Sequence, residues 1–511
     1  MKKLYQSSAN LDKRAISKFL LSEEILMENA ANALAQLISK LTHKKSVITI
    51  VCGSGDNGGD GYALARKIKG DYLVRVYEAK EPKSALCKLQ AQRAQVCGVE
   101  WTKKILPCDV VVDCLFGSGF SGELGSEFIT LLGQMRSCAR VGIACDIPSG
   151  LDISNGFDTR VKEAFRADYT LCMGALKIGL FSDNAKDFVG EVIIGDLGIS
   201  SQDYEVQSPF FLLEKSDLVL PLRREKSCHK GDFGHIAFIS GEKLGASLLA
   251  AKSALRMGAG KVSLIKDFGN DKGAGQKDSI DSSQRDFSDF SLIATNPEIM
   301  LEQGLPKGAN VLVAGMGLGL SQINASLKTA LKSALADSSV DFVVLDADMC
   351  YAEFLAELLS DEVAQSKIVL TPHPKEFASL AKICSILDTS QQDSQTLDFV
   401  LQNRFSLALK FSQTYPKATL LLKGANTIIA QNGKLYINPL GSQALAKGGS
   451  GDVLCGVIAA YLAQALSHTA QAKSPLDCTI NASLSHALAS HSEKNSYALT
   501  PLLLIEHLGN L

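Results

Sequence analysis

The chain has 511 residues, enough for two or three globular domains. Hydrophobic residues make up 46% and charged residues 21%, so each half can bury a sizeable core in water. A formal net charge of −2, a single Trp and the lack of any apolar run of membrane-spanning length argue against nucleic-acid and membrane partners. The thirteen cysteines are spaced singly, with no CxxC pair, so zinc and a dithiol redox centre are not expected. They read as small buried hydrophobes in a reducing compartment. The basic start Met1-Lys2-Lys3 lacks an apolar core behind it, so a cytoplasmic protein is expected.

In chain order, the first 200 residues alternate short apolar runs with amphipathic segments. Strands are predicted over 46–52, 73–77, 109–116, 140–146 and 167–172, and helices over 62–69, 82–96 and 123–135. The pattern breaks near 200–230, where residues 223–227 form a charged run read as a solvated connector. The expected boundary gives domains 1–214 and 215–511. Alternation then resumes, with strands predicted over 235–240, 261–265, 311–314, 342–346, 367–370, 419–422, 427–430 and 434–437. The polar stretch 267–291 reads as a surface loop or insertion. Strands alternating with helices in both halves predict two mostly parallel α/β domains.

The first Gly-rich turn, residues 53–61 (GSGDNGGDG), follows a strand and precedes a helix. It contains GxGxxG at Gly53, Gly55 and Gly58, with Glu78 twenty residues further on, near the end of the next strand. That is a dinucleotide fingerprint, in which glycines let the backbone approach a pyrophosphate. A tight turn without a ligand would look similar. Asp56, Asn57 and Asp60 in the same turn would repel a pyrophosphate and suit a hard cation instead. Two more strand-end segments, 113–122 (DCLFGSGFSG) and 146–152 (DIPSGLD), would emerge on the same carboxyl edge. Asn57, Asp113, Asp146 and Ser149 would then form a polar cup.

These three segments, with the helix motif Ile25-Leu26-Met27-Glu28-Asn29-Ala30, resemble the NAD(P)H-hydrate epimerase family over about the first 200 residues. The resemblance implies a Rossmann-like three-layer domain that epimerises hydrated NADH or NADPH (NADHX or NADPHX). It implies that Asp56, Asn57, Gly58, Gly59, Asp60, Gly117, Ser118, Gly119, Phe120, Ser121, Gly122, Glu123 and Asp146 hold the substrate. Asn57, Asp113 and Ser149 would coordinate K+. By its own chemistry Asp146 is the candidate catalytic carboxylate, able to move a proton or hold a cationic intermediate. Position 56 is usually Asn in that family and is Asp here.

In the second half, Gly448-Gly449-Ser450-Gly451-Asp452 precedes a mostly apolar helix-like segment. Backbone N–H groups there would face a phosphate, and Asp452 could take a proton from a substrate hydroxyl. A flexible turn with a capping Asp is the plainer reading. Residues 371–377 (TPHPKEF), 422–427 (LKGANT) and 315–319 (GMGLG) also end predicted strands. With 230–235, 253–260 and 296–300, these motifs resemble the ribokinase-like ADP/ATP-dependent NAD(P)H-hydrate dehydratases from about 225 onward. Met316 stands where that family usually has Pro. The resemblance implies nucleotide contacts at Lys423, Gly424, Ala425, Asn426, Thr427, Gly449, Ser450 and Gly451. It implies hydrated-cofactor contacts at Ala246, Gly317, His373 and Asp452, with Asp452 catalytic and Mg²⁺ accompanying ADP or ATP. A homo-oligomer is expected. Two other readings share these motifs: a small-molecule kinase fused to a nucleotide-binding module, and a non-enzymatic sensing or scaffold role for the first domain.

Overall fold

A computed structural model describes residues 1–223, 225–266, 268, 295–387, 393–466 and 474–511. The polar segment predicted as an insertion lies outside them, apart from Phe268. The chain forms two compact units, one built on residues 3–210 and the other mainly on the chain from Phe211 onward.

The N-terminal unit holds a seven-stranded parallel sheet. Its strands are β1 (Val47–Cys52), β2 (Leu73–Glu78), β3 (Glu100–Thr102), β4 (Cys108–Cys114), β5 (Ala139–Cys145), β6 (Tyr169–Met173) and β7 (Glu191–Gly195). Their order is β3-β2-β1-β4-β5-β6-β7. Helices α1 (Glu23–Leu41), α2 (Asp56–Ile68), α3 (Ala85–Val96) and α4 (Ser126–Cys138) accompany it. The central strands are apolar throughout, as β1 shows with Ile48, Ile50, Val51 and Cys52 all buried, because both faces of a parallel sheet are covered. Register aligns the strand ends: Cys52 pairs with both Glu78 and Cys114, and Asp113 with Ala144. The three polar segments therefore leave one carboxyl edge.

One element departs from the sequence expectation. The helix predicted from residue 62 begins at Asp56, so Gly58, Gly59 and Gly61 are helical. Glycine is a poor helix former, which is why these residues read as a turn. Packing overrides that preference. A Cβ on Gly59 would meet Met27 Cε at 2.7 Å, and one on Gly61 would meet Cys52 Sγ at 2.8 Å. The glycines let α2 lie close against α1 and the sheet. The segment read as helical from Pro82 starts at Ala85, where Ser84 caps it by accepting from Cys87 N–H.

The sheet of the second unit includes the strands β8 (His235–Ile239), β9 (Lys261–Ile265), β10 (Met300–Glu302), β11 (Val311–Ala314), β12 (Phe342–Leu345), β13 (Ile368–Leu370), β14 (Thr419–Leu422), β15 (Thr427–Gln431) and β16 (Lys434–Asn438). They run in the order β10-β9-β8-β11-β12-β13-β14-β15-β16. Pairing is parallel as far as β14 and antiparallel across β14, β15 and β16. Helices α5 (Leu244–Arg256) and α6 (Pro374–Ile383) follow β8 and β13. Helix α7 (Ser450–Ala465) is buried almost throughout, which explains its near-uniform apolar sequence. It packs on α5 at Gly456, where a Cβ would lie 1.9 Å from Ala250 O.

Candidate functional site

The N-terminal unit carries a cavity of about 690 Å³ at the carboxyl edge, reached by Ser54, Asp56, Asn57, Asp60 and Asp146 and by the 115–121 segment. Asp146 sits just beyond β5 with φ 66°, a left-handed conformation uncommon outside glycine. Its Oδ1 accepts from Lys177 Nζ at 2.6 Å and from Met173 N–H at 3.1 Å. These bonds hold the strained residue in place. Lys177 is fully buried, and burial alone would lower its pKa. Asp146, with Cys172, more than offsets this, so the ammonium is held above its ordinary range. Burial raises Asp60 well above the carboxylate range, and Asp146 and Asp56 push the same way. Burial also raises Asp12, against a 2.6 Å bond from Tyr204 Oη and the pull of Lys177.

Asp113 is fully buried. Its Oδ1 accepts from Ser149 Oγ at 2.7 Å and Leu115 N–H at 3.1 Å, and its Oδ2 from Ser149 N–H at 2.8 Å. Burial pushes the carboxyl up to about 6 although all of these bonds favour the ion. No salt bridge among the described residues reaches it. The amide nitrogen of Asn57 is buried and has no hydrogen-bond partner among the described residues. Gly117 lies beside that carboxamide, since its Cβ would fall 3.4 Å from Asn57 Cβ. Asp56 also lines the cavity, and its Oδ1 accepts from Ser84 Oγ at 2.6 Å. Gly58 and Gly59 lie in α2 as packing glycines. Of the 117–123 segment, Gly117 to Ser121 line the cavity, while Gly122 N–H donates to Asp152 and Glu123 pairs with Lys162.

In the second unit, Gly449 N-caps α7 at φ 92°, a conformation suited to glycine. Helix α7 then opens with Ser450, Gly451 and Asp452; the Ser450 N–H donates to Lys447 O at 3.2 Å, and those of Gly451 and Asp452 have no intrahelical acceptor. Lys423, in the turn between β14 and β15, reaches this terminus: a Cβ on Gly451 would lie 3.2 Å from Lys423 Nζ. Lys423 N–H donates to Pro372 O, and Gly424 and Ala425 are exposed in the same turn. The Lys423 ammonium donates to Asp346 Oδ1 at 2.6 Å. Cys455 Sγ donates to Asp346 Oδ2 at 3.0 Å. Burial pushes the Asp452 carboxyl upward, Asp346 adds to that, and Lys423 opposes it.

His373 N-caps α6, its Nδ1 accepting from the Lys375 and Glu376 N–H groups. Its Nε2 lies 3.0 Å from Glu376 Oε1. Glu376 also pushes the Asp452 carboxyl upward. Ala246 meets Gly317, whose Cβ would lie 3.3 Å from the Ala246 Cβ. Asn426 is buried and Thr427 begins β15.

Sequence reading missed Lys177, Asp12, Tyr204, Asp346 and His486. His486 is buried behind the α7 turn, with Nε2 3.0 Å from Ser450 O and 3.3 Å from Ser450 Oγ. Only Asp346 carried a local signal, its place at a strand end.

The family model described as "YjeF-related protein N-terminus" matches residues 23–179, and that of NAD(P)H-hydrate dehydratase matches 236–510. A bifunctional NAD(P)H-hydrate repair enzyme of Helicobacter pylori is 44% identical, covering 100% of both chains. One from Thermofilum pendens is 31% identical, covering 88% of this chain and 85% of its own. A solved ribokinase-like superfamily protein from Enterococcus faecalis covers 60% of this chain and 96% of its own, at 22% identity and a TM-score of 0.44. No described helix is long and apolar enough to cross a membrane. With two family matches in order along one chain and full-length identity to a relative, this protein belongs to the bifunctional NAD(P)H-hydrate repair enzyme family.

Proposed function

We propose that the N-terminal cavity interconverts the R and S epimers of NADHX and NADPHX, and that the α7 turn dehydrates the S epimer at the expense of ADP or ATP. One arrangement carries this reading: Lys177 holds Asp146 at 2.6 Å in the first unit, and in the second Lys423 holds Asp346 at 2.6 Å while its ammonium lies against Gly451, next to Asp452.

In the first site, loss of hydroxide from C6 of the hydrated ring leaves a cationic ring. The Asp146 carboxylate, fixed by Lys177 and Met173 N–H, stabilises that cation, and hydroxide returns to either face. Residues 56–60 and 117–123 would hold the dinucleotide. The oxygens of Asn57, Asp113 and Ser149 suit K+, a hard cation, and no salt bridge among the described residues neutralises the buried Asp113 carboxylate. K+ bound there would offset the buried charge of Asp113.

In the second site, Asp452 takes the proton of the C6 hydroxyl, whose oxygen attacks the terminal phosphoryl group of Mg²⁺-ADP or Mg²⁺-ATP, breaking its bond to the bridging oxygen and releasing AMP or ADP. Lys423 and the N–H groups of 449–451 stabilise the phosphoryl charge. Residues 423–427 would hold the nucleotide, and Ala246, Gly317 and His373 the hydrated cofactor. Phosphate leaves with the C–O bonding pair, driven by the ring nitrogen lone pair. Loss of the C5 proton then restores the C5–C6 double bond and yields NADH or NADPH. Thirteen free cysteines support a reducing, cytoplasmic setting, and a homo-oligomer remains part of this reading.

Chromatographic separation of the epimers tests the first activity. Without nucleotide, a single purified epimer becomes a mixture. An epimer that stays pure would remove the epimerase assignment.

A further inference from the structure

A second cavity of the N-terminal unit, about 630 Å³, lies outside the cup and plays no part in the chemistry above. Glu78 and Glu81 line one part of it, Lys88 and Gln92 of α3 another, and Trp101 of β3 a third. Trp101 is the only tryptophan of the chain and is 37% exposed. Its ring stacks on Tyr62 of α2 at 6.2 Å between centroids and 20° between planes. Tyr62 Oη donates to Glu78 Oε2 at 2.9 Å, which fixes the carboxylate and leaves its other oxygen available. Glu78 is the acidic residue of the GxGxxG pattern, and the proposed reaction gives it no task.

Hydrogen bonds tie the segments that line the two cavities to each other. Ala79 N–H donates to Cys52 O and Lys83 N–H to Ser54 O, and Ser84 Oγ donates to Asp56. Ser54 and Asp56 line the first cavity, and Glu81 and Pro82 the second. A hydrated dinucleotide has two ends. Its reacting ring belongs beside Asp146, so its adenosine must lie elsewhere. An indole offers a stacking face to a base, and a carboxylate at a strand end accepts from ribose hydroxyls.

Resting on the epimerase reading, we infer that the Trp101 groove binds the adenosine moiety of the hydrated dinucleotide, with the base against Trp101 and the ribose on Glu78. Free ADP has the same adenosine, so the test must separate the two sources. Epimerisation is measured with NADHX and with hydrated nicotinamide mononucleotide, which lacks adenosine. Trp101→Leu removes the stacking face, and Gln92→Trp, at an exposed position, fills the groove without touching the core. Both variants are expected to raise KM for NADHX roughly tenfold and to leave the mononucleotide unchanged. NADHX is also expected to quench the lone tryptophan of the wild type. Equal effects on both substrates, or none on either, with the wild type still epimerising, would overturn the inference. Quenching by ADP with an unchanged KM for NADHX would also overturn it, assigning the groove to free nucleotide. A wild type that fails to epimerise would instead remove the reading beneath it.

Discussion

Lys177 Nζ donates to Asp146 Oδ1 at 2.6 Å, and both residues are buried at the carboxyl edge of the N-terminal sheet. The pair makes a desolvated carboxylate tolerable where the backbone is already strained.

Lys177→Met leaves Asp146 without its partner. The variant is expected to lose about 3–5 kcal/mol in urea unfolding, and epimerisation is expected to fall at least roughly tenfold. Adding Asp146→Asn removes the stranded charge, so the double variant should recover part of the stability. A double variant as unstable as the sum of the two singles would contradict this pairing.

Asp452→Asn keeps the shape of the α7 turn and removes the base. Dehydration is expected to fall by about 10²–10⁴-fold while epimer exchange continues. Loss of both activities in a folded variant would show that the two sites do not divide the work.

Asp113→Ala removes the carboxylate that organises Ser149 N–H and Oγ. Epimerisation should then need several-fold more K+ for half-maximal rate, read from a titration at constant ionic strength. An unchanged K+ curve would detach Asp113 from the cation.

His486 predicts a pH dependence of stability. Burial holds its imidazole at about 4 against an ordinary 6.5; the bond to Ser450 opposes this and Lys423 adds to it. Between these values the unfolded chain binds more protons than the folded one. The contribution is therefore complete above pH 6.5 and is lost as pH falls toward 4. It is about 3 kcal/mol at most. His486→Gln should show a smaller drop in urea midpoint between pH 7 and pH 4.5 than wild type. Parallel curves would mean that His486 is not buried neutral.

Much of this architecture is legible in the sequence because parallel strands buried on both faces are apolar runs with polar ends. Val47–Cys52 and Val311–Ala314 show this plainly. Short edge strands such as Glu100–Thr102 lack that signature, and none was expected there. Helix α2 was cut short because Gly58, Gly59 and Gly61 read as a turn until their close approach to Met27 and Cys52 is known. The motif residues of the cup announce themselves as Gly- and Asp-rich strand ends. Their partners do not. Lys177 is thirty-one residues from Asp146 in an unremarkable apolar stretch, and His486 is thirty-six from Ser450 in a helix. Only folding makes them neighbours.

The most direct test of the whole account is recovery of 340 nm absorbance from a mixture of R and S NADHX with the purified protein, Mg²⁺ and either ADP or ATP. The account predicts recovery from both epimers, because the N-terminal unit feeds the second. No recovery with either nucleotide would contradict it.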